Sequence, residues 1–188
     1  MKKTLVILAH PSMNESRLNK ALINAISHEE HITVHDLYAT YGRTGEIDVK
    51  KEQDLLVANE RIVFQFPLFW FSTPSLLKEW QDKVLEYGFA YGSEGSKLAN
   101  KEFKVALTTG SPDYAYQAGA YDHASISELL KPLQITALFT GMVYTAPFAV
   151  HGALKIKEEE LAQKALEYKA LLHEEDWSSS LFKYLQSN

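Results

Sequence analysis

The chain contains no cysteine in 188 residues. Disulfides, thiolate nucleophiles, iron–sulfur clusters and cysteine zinc sites are removed together, so any redox chemistry needs a cofactor that carries its own electrons. The same absence suits the cytoplasm, which is the expected location. Excess positive charge is lacking too: 19 Lys and Arg face 24 Asp and Glu, a formal net charge of −5, and no polybasic run breaks the mixture. That balance argues against a nucleic-acid footprint and against binding to anionic membranes. No stretch approaches the roughly 18 apolar residues of a membrane span. The apolar run from Leu5 to Ala9, after two lysines, falls short of the roughly 7–15 residues of a signal-peptide core and reads as a buried strand. Repeats and low-complexity linkers are missing, and at about 150 residues per domain the length corresponds to roughly one. A domain over residues 1–174 and a loosely attached C-terminal extension over 175–188 are expected.

What is present is an ordinary globular composition, 46% hydrophobic and 23% charged, enough to bury a sizeable core. Short apolar runs at residues 4–9, 31–36, 61–66, 103–109 and 142–147 read as five strands, most of them buried on both faces. Between them lie segments of helical period at 16–27, 48–59, 75–85, 125–139 and 157–172. Ser16 and Asp48 are expected N-caps, Ser125 and Glu128 form a capping box, and Pro132 is expected to kink or delay the fourth helix. The second strand, with His31, Thr33, His35 and Asp36, is the most polar and is placed at an edge. Alternating strands and helices of this length predict an α/β fold, a doubly wound five-stranded parallel sheet in the flavodoxin-like order 2-1-3-4-5.

In such a sheet the ligand lies beyond the carboxyl ends of the strands, where the order reverses. After strand one, His10 to Asn19 forms a polar loop that enters a helix whose first amides are unpaired, a start suited to an anion, with Ser16 and Arg17 adding contacts. It lacks glycine, which excludes both a G-x-G-x-x-G turn and a Walker loop. After strand three, two prolines bracket Phe69, Trp70 and Phe71 in a place where turns favour Gly, Asn, Asp and Ser. Three consecutive aromatics cannot all face one core, and a wall for a flat aromatic ligand explains them; packing against a partner subunit is the compatible alternative. After strand four, Thr108, Thr109, Gly110 and Ser111 lead into a loop holding Tyr114, Tyr116 and Tyr121.

Three stretches, LVILAHPSMNESRLNKAL, FPLFWFSTPSLLKEWQDKVLEYGFAYG and ALTTGSPDYAYQAGAYD, resemble the flavodoxin-like NAD(P)H:quinone oxidoreductase family in order and spacing, over nearly all of residues 4–172. That family includes the DT-diaphorase type enzymes, bacterial general-stress oxidoreductases and ancillary subunits of potassium-efflux systems. The resemblance implies a non-covalent flavin, FAD or FMN, at the interface of a homodimer, with the middle stretch leaning toward FAD. It implies that His10, Ser16, Arg17, Leu18 and Asn19 hold the flavin phosphate. Pro67, Leu68, Phe69, Trp70 and Phe71 would line the isoalloxazine, and Thr108, Thr109, Gly110 and Ser111 would close its other edge. Tyr114 or Tyr116 matches the family's tyrosine near the flavin carbonyl. Where the family carries a paired histidine this chain has Tyr121, beside Asp122 and His123, and Ser111-Pro112 replaces the usual second glycine.

The expected activity is two-electron hydride transfer from NAD(P)H through the flavin to a quinone-like acceptor, with ping-pong kinetics. The alternative is a flavoprotein subunit that regulates a potassium-efflux transporter. A one-electron flavodoxin carrier fits the fold but leaves the aromatic wall unexplained. Other motifs read as structure. His28-Glu29-Glu30-His31 has histidines three apart rather than the four of H-E-x-x-H, and reads as a solvated helix end. Gly92-Ser93-Glu94-Gly95 lacks the elbow of a serine hydrolase. Lys155 to Glu160 reads as an acidic helix start, and Trp177, Phe182 and Tyr184 belong to the tail, either docked on a partner or frayed.

Overall fold

A computed structural model describes residues 1–177. Strands β1 (Thr4–Leu8), β2 (Ile32–Asp36), β3 (Arg61–Pro67), β4 (Glu102–Thr108), β5 (Val143–Tyr144) and β6 (Phe148–Val150) form one parallel sheet. Its order is β2-β1-β3-β4-β5, with β6 also on β4. The order reverses beside β1, as expected, and β2 lies at an edge and is only half buried.

Both faces are covered by helices α1 (Arg17–Ile26), α2 (Leu37–Tyr41), α3 (Val49–Ala58), α4 (Ser75–Val84), α5 (Ile126–Leu129), α6 (Lys131–Phe139) and α7 (Glu158–His173). Strand alternation divides the core. Ile62, Phe64 and Phe66 join Trp80, Phe103 and Leu133 on one face, while Val63 and Ala106 join Leu22, Ile26, Tyr168 and Leu172 on the other. The expected caps are present: Ser16 Oγ accepts from Asn19 N, Asp48 Oδ1 from Lys51 N, and Ser125 and Glu128 form a reciprocal box.

Three features differ from expectation. The fifth strand is not one run over 142–147 but two pieces paired in turn with the start and the end of β4. Pro147 has no N–H to continue the ladder, and Lys104 Nζ donates to Ala146 O in the gap at 2.8 Å. The helix over 125–139 is two, α5 and α6, broken at the expected Pro132, which sits in the first turn of the second, where its missing donor costs nothing. A short α2 follows β2 directly, capped by Asp36, whose Oδ1 accepts from Ala39 N.

The chain also does not come loose at Glu174. Trp177 is 2% exposed, and its N–H donates to Glu102 Oε1 while its indole N–H donates to Leu171 O. Arg61, buried in β3, donates to Glu102 Oε2 at 2.6 Å and to Glu175 O, with its guanidinium 4.4 Å from the Trp177 ring centroid. The tail therefore continues the core through Trp177, since an ion pair buried this deeply needs a lid to keep water out. Phe182 and Tyr184 lie outside the described residues.

Candidate functional site

The loops after β1, β3 and β4 meet at the carboxyl edge of the sheet. Leu68 N donates to Thr108 O at 2.8 Å, Asn19 Nδ2 to Thr108 Oγ1 at 3.0 Å, and the rings of His10 and Phe69 meet edge to face at 6.1 Å.

In the first loop Ser12 N donates to His10 Nδ1, which leaves the imidazole proton on Nε2. Burial holds the His10 pKa below its usual value against the pull of Asp36 and Glu15, so the ring is a neutral donor at pH 7. Ser16 Oγ accepts from both Asn19 N and Asn19 Nδ2, so its hydroxyl proton is available to a ligand. The other three expected phosphate residues are placed differently. Arg17 turns to the start of α7, donating to Glu158 Oε1 at 2.7 Å and Ile156 O at 2.6 Å. The Leu18 side chain is buried in the core, so only its backbone amide faces the helix start. Asn19, 1% exposed, is spent on Ser16, Thr108 and Gln65, and Gln65 in turn accepts from the Tyr168 hydroxyl.

The second loop is a two-residue hairpin. Phe69 and Ser72 exchange both N–H···O bonds at 3.0 Å, and the residues between them, Trp70 and Phe71, have φ of 48° and 62°. Two consecutive positive φ values at a hairpin tip are the type I′ geometry, which normally selects Asn-Gly. Here Trp and Phe occupy it at a cost of about 1–2 kcal/mol each. The strain presents Trp70 94% exposed, with Phe69 and Phe71 half exposed beside it. Pro67 is buried at the end of β3 and Leu68 half buried above it, so these two support the hairpin. An apolar cavity of about 230 Å³ opens behind it toward α4 and α6, lined by Leu68, Ser72, Thr73, Leu133 and Thr136.

In the third loop Thr108 and Thr109 are buried, Ser111 is half buried and Gly110 exposed. Thr109 Oγ1 donates to Ser111 O at 2.8 Å and lies 2.9 Å from His151 Nδ1, which fixes the His151 proton on Nδ1 and leaves Nε2 an acceptor. Burial lowers the pKa of His151, and its ring packs on Tyr116 at 5.5 Å. Tyr116 is thus held half buried against a histidine, whereas Tyr114 and Tyr121 project outward, 69% and 85% exposed. Asp122 Oδ2, at the base of this loop, is buried with no hydrogen-bond partner among the described residues.

His151 is the site residue that the sequence reading misses. It follows the last apolar residues of β6, the place where the carboxyl-end rule looks for ligand groups, but ending the fifth strand at 147 puts it out of view.

A family model described as flavodoxin-like fold matches residues 2–172. A Bacillus subtilis (strain 168) protein named uncharacterized NAD(P)H oxidoreductase YdeQ is 49% identical over 166 residues, 88% of this chain and 84% of that one. A Serratia proteamaculans (strain 568) protein named glutathione-regulated potassium-efflux system ancillary protein KefG is 42% identical over 88% of this chain and 90% of its own length. Among solved structures, general stress protein 14 of Treponema denticola in complex with FMN is 40% identical, with a TM-score of 0.85, covering 90% of this chain and 97% of that one. An NADPH-quinone reductase from P. pentosaceus is 36% identical, with a TM-score of 0.82, over 89% and 95%.

Proposed function

This chain belongs to the flavodoxin-like family, and we propose that it acts there as a flavin-dependent NAD(P)H:quinone oxidoreductase that works as a homodimer with ping-pong kinetics. The observation that carries this reading is the strained hairpin: two large aromatics are held outward, against backbone preference, where three loops meet. The names of the YdeQ and P. pentosaceus relatives support the activity.

The donors present suit a flavin. His10 Nε2, the Ser16 hydroxyl and the first amides of α1 offer a neutral, donor-only cradle for a phosphate. Trp70 and Phe71 offer flat apolar area for the ring, and the phenol of Tyr116, oriented by His151, offers a proton at its rim. We assign the family's tyrosine to Tyr116 rather than Tyr114 on this ground. The flavin we propose is FMN. The FMN complex of the Treponema denticola relative supports it, and so do the acidic Glu15 and Asp36 on the rim beyond the first loop, which repel a second phosphate.

When bound, a flavin accepts a hydride from NAD(P)H and holds the electron pair until an acceptor arrives. The protein's part is to orient and to exclude water. Trp70 and Phe71 bound a single aromatic slot, so donor and acceptor rings use it in turn, each within roughly 3–3.5 Å of its reaction partner. The dimer is supported by a second exposed patch, where Tyr91 meets Tyr87 edge to face and Phe139 at a tilt. The test is steady-state kinetics of the purified yellow protein with NADPH and a soluble quinone. Parallel initial-rate lines at several quinone concentrations are expected, and intersecting lines overturn the single slot. A colourless protein that gains no thermal stability from FMN overturns the reading as a whole.

The KefG relative favours a second reading, a flavoprotein subunit docked on a potassium-efflux transporter. Co-purification with such a transporter and negligible turnover of free quinone would replace the first reading with this one.

A further inference from the structure

The sequence motif His28-Glu29-Glu30-His31 is set aside above because its histidines are badly spaced for one helical face. The fold supplies what the motif lacks. Helix α1 ends at Ile26, a turn closed by Glu29 N to Ile26 O and Ile32 N to Glu29 O follows, and His31 enters β2. Helix α7 packs along α1 and ends at His173, which lands on this turn 142 positions after His31. The His31 and His173 rings meet edge to face at 4.8 Å, and Glu29 Oε2 lies 3.0 Å from His173 Nε2.

The nitrogens are in an unusual state. His31 Nε2 and His173 Nε2 are both shielded from water, and neither makes a hydrogen bond among the described residues; the approach of Glu29 to His173 lacks the alignment of one. A buried ring nitrogen without a partner costs about 1–3 kcal/mol, which is the position of His31 Nε2, while His173 Nε2 has only the Glu29 carboxylate beside it. One ligand atom from each of Glu29, His31 and His173 lies within 4.8 Å of the others. Two imidazoles and a carboxylate are the donor set of a three-ligand zinc site, with water in the fourth position. Lys169, one turn before His173, holds Glu29 Oε1 at 2.5 Å, so the second oxygen is the one free to face a cation.

We propose that Glu29, His31 and His173 bind a divalent transition-metal ion, Zn²⁺ by ligand type, at the amino-edge pole of the sheet. Binding contracts this 4.8 Å spacing, and the three residues stand on a turn and at a helix end rather than within a strand. The ion ties the end of α7 to the α1–β2 turn, and its role is a structural clamp, because the site lies at the opposite end of the strands from the three loops.

The test uses the flavin-loaded protein, freed of metal with a chelator and desalted, then titrated with ZnCl₂ by calorimetry and by thermal melting. Saturable binding of one ion per chain is expected. At Zn²⁺ one hundred times above Kd the folding equilibrium shifts about 100-fold, read as a higher Tm. His31→Gln and His173→Gln should each weaken binding on the order of 100-fold or more, since even outer partners of a metal site are worth about 10–100-fold. His28→Gln should leave affinity unchanged. Co²⁺ in place of Zn²⁺ should give the visible ligand-field bands of a low-coordinate site, lost in His173→Gln. The metal-free Tm of each variant reports whether it folds. Absence of saturable binding, or binding kept in both His31→Gln and His173→Gln, overturns the proposal.

Discussion

Replacing Trp70 and Phe71 together by Asn and Gly, the residues that the type I′ hairpin normally selects, separates the structural cost of the loop from its use. Two residues at positive φ carry about 2–4 kcal/mol of strain in all. Glycine returns about 0.5–1 kcal/mol through the freedom of the unfolded chain. Loss of the half-buried Phe71 ring takes away roughly another 1 kcal/mol, while Trp70 at 94% exposure contributes almost nothing to the free fold. The flavin-free double variant should therefore be more stable than the parent by about 1 kcal/mol, a rise of roughly 0.5 M in the urea midpoint. Catalysis should move the other way. A planar substrate covering about 100 Å² of apolar ring gains about 2.5 kcal/mol at 25 cal/mol per Å², so the KM for quinone should rise between 10- and 100-fold. Urea melts and steady-state kinetics on the same preparation read both. A variant that is less stable, or one whose KM stays within twofold, would refute the idea that backbone strain is held here to display aromatic surface.

Tyr121→Phe should lower turnover by about tenfold or less, because an exposed phenol supplies at most one hydrogen bond of about 1.4 kcal/mol; a loss of several decades would make Tyr121 an essential acid. Trp177→Ala should cost about 3–5 kcal/mol in denaturant unfolding, since it opens the cover of the Arg61–Glu102 pair; under 1 kcal/mol would mean the tail is not part of the core. Burial pushes the Lys104 ammonium down to about 8, so between pH 8 and 10 the unfolded chain binds the proton more tightly than the folded one. Stability should therefore rise with pH across that window, by up to ~3 kcal/mol, and the rise should vanish in Lys104→Met, as followed by urea midpoints at several pH values.

The architecture was legible because the first, third and fourth strands are mostly apolar and so announce burial on both faces. What misled was the fifth, where Pro147 stops a ladder that resumes at Phe148. One proline thus displaced the strand end by three residues and hid His151 from a search confined to strand ends. Residue type located the loops of the site but not the direction of their side chains. Arg17 reads as a phosphate ligand on chemistry alone, yet the acidic start of α7, distant in sequence, claims its guanidinium. The Glu29–His31–His173 cluster shows the same limit from the other side, since two of its three ligands stand in a motif with the wrong spacing and the third arrives from the far end of the chain.

Parallel strands rich in Val, Ile and Leu pair almost equally well when shifted, and the buried amide of Gln65 decides among the alternatives. In the native alignment it meets Asn19 and the Tyr168 hydroxyl, with Thr108 on the far side of Asn19. Sliding β3 by one position would turn Gln65 into the opposite face and set Phe64 or Phe66 against these polar groups, stranding three of them at about 1–3 kcal/mol apiece. Asn19, Gln65 and Thr108 meet once α1, β3 and β4 are together, and the Tyr168 hydroxyl completes the network when α7 docks. A misaligned sheet is therefore penalised in two steps, first when α1 packs on β3 and β4 and again when α7 docks, so the last described helix completes the proofreading of the alignment.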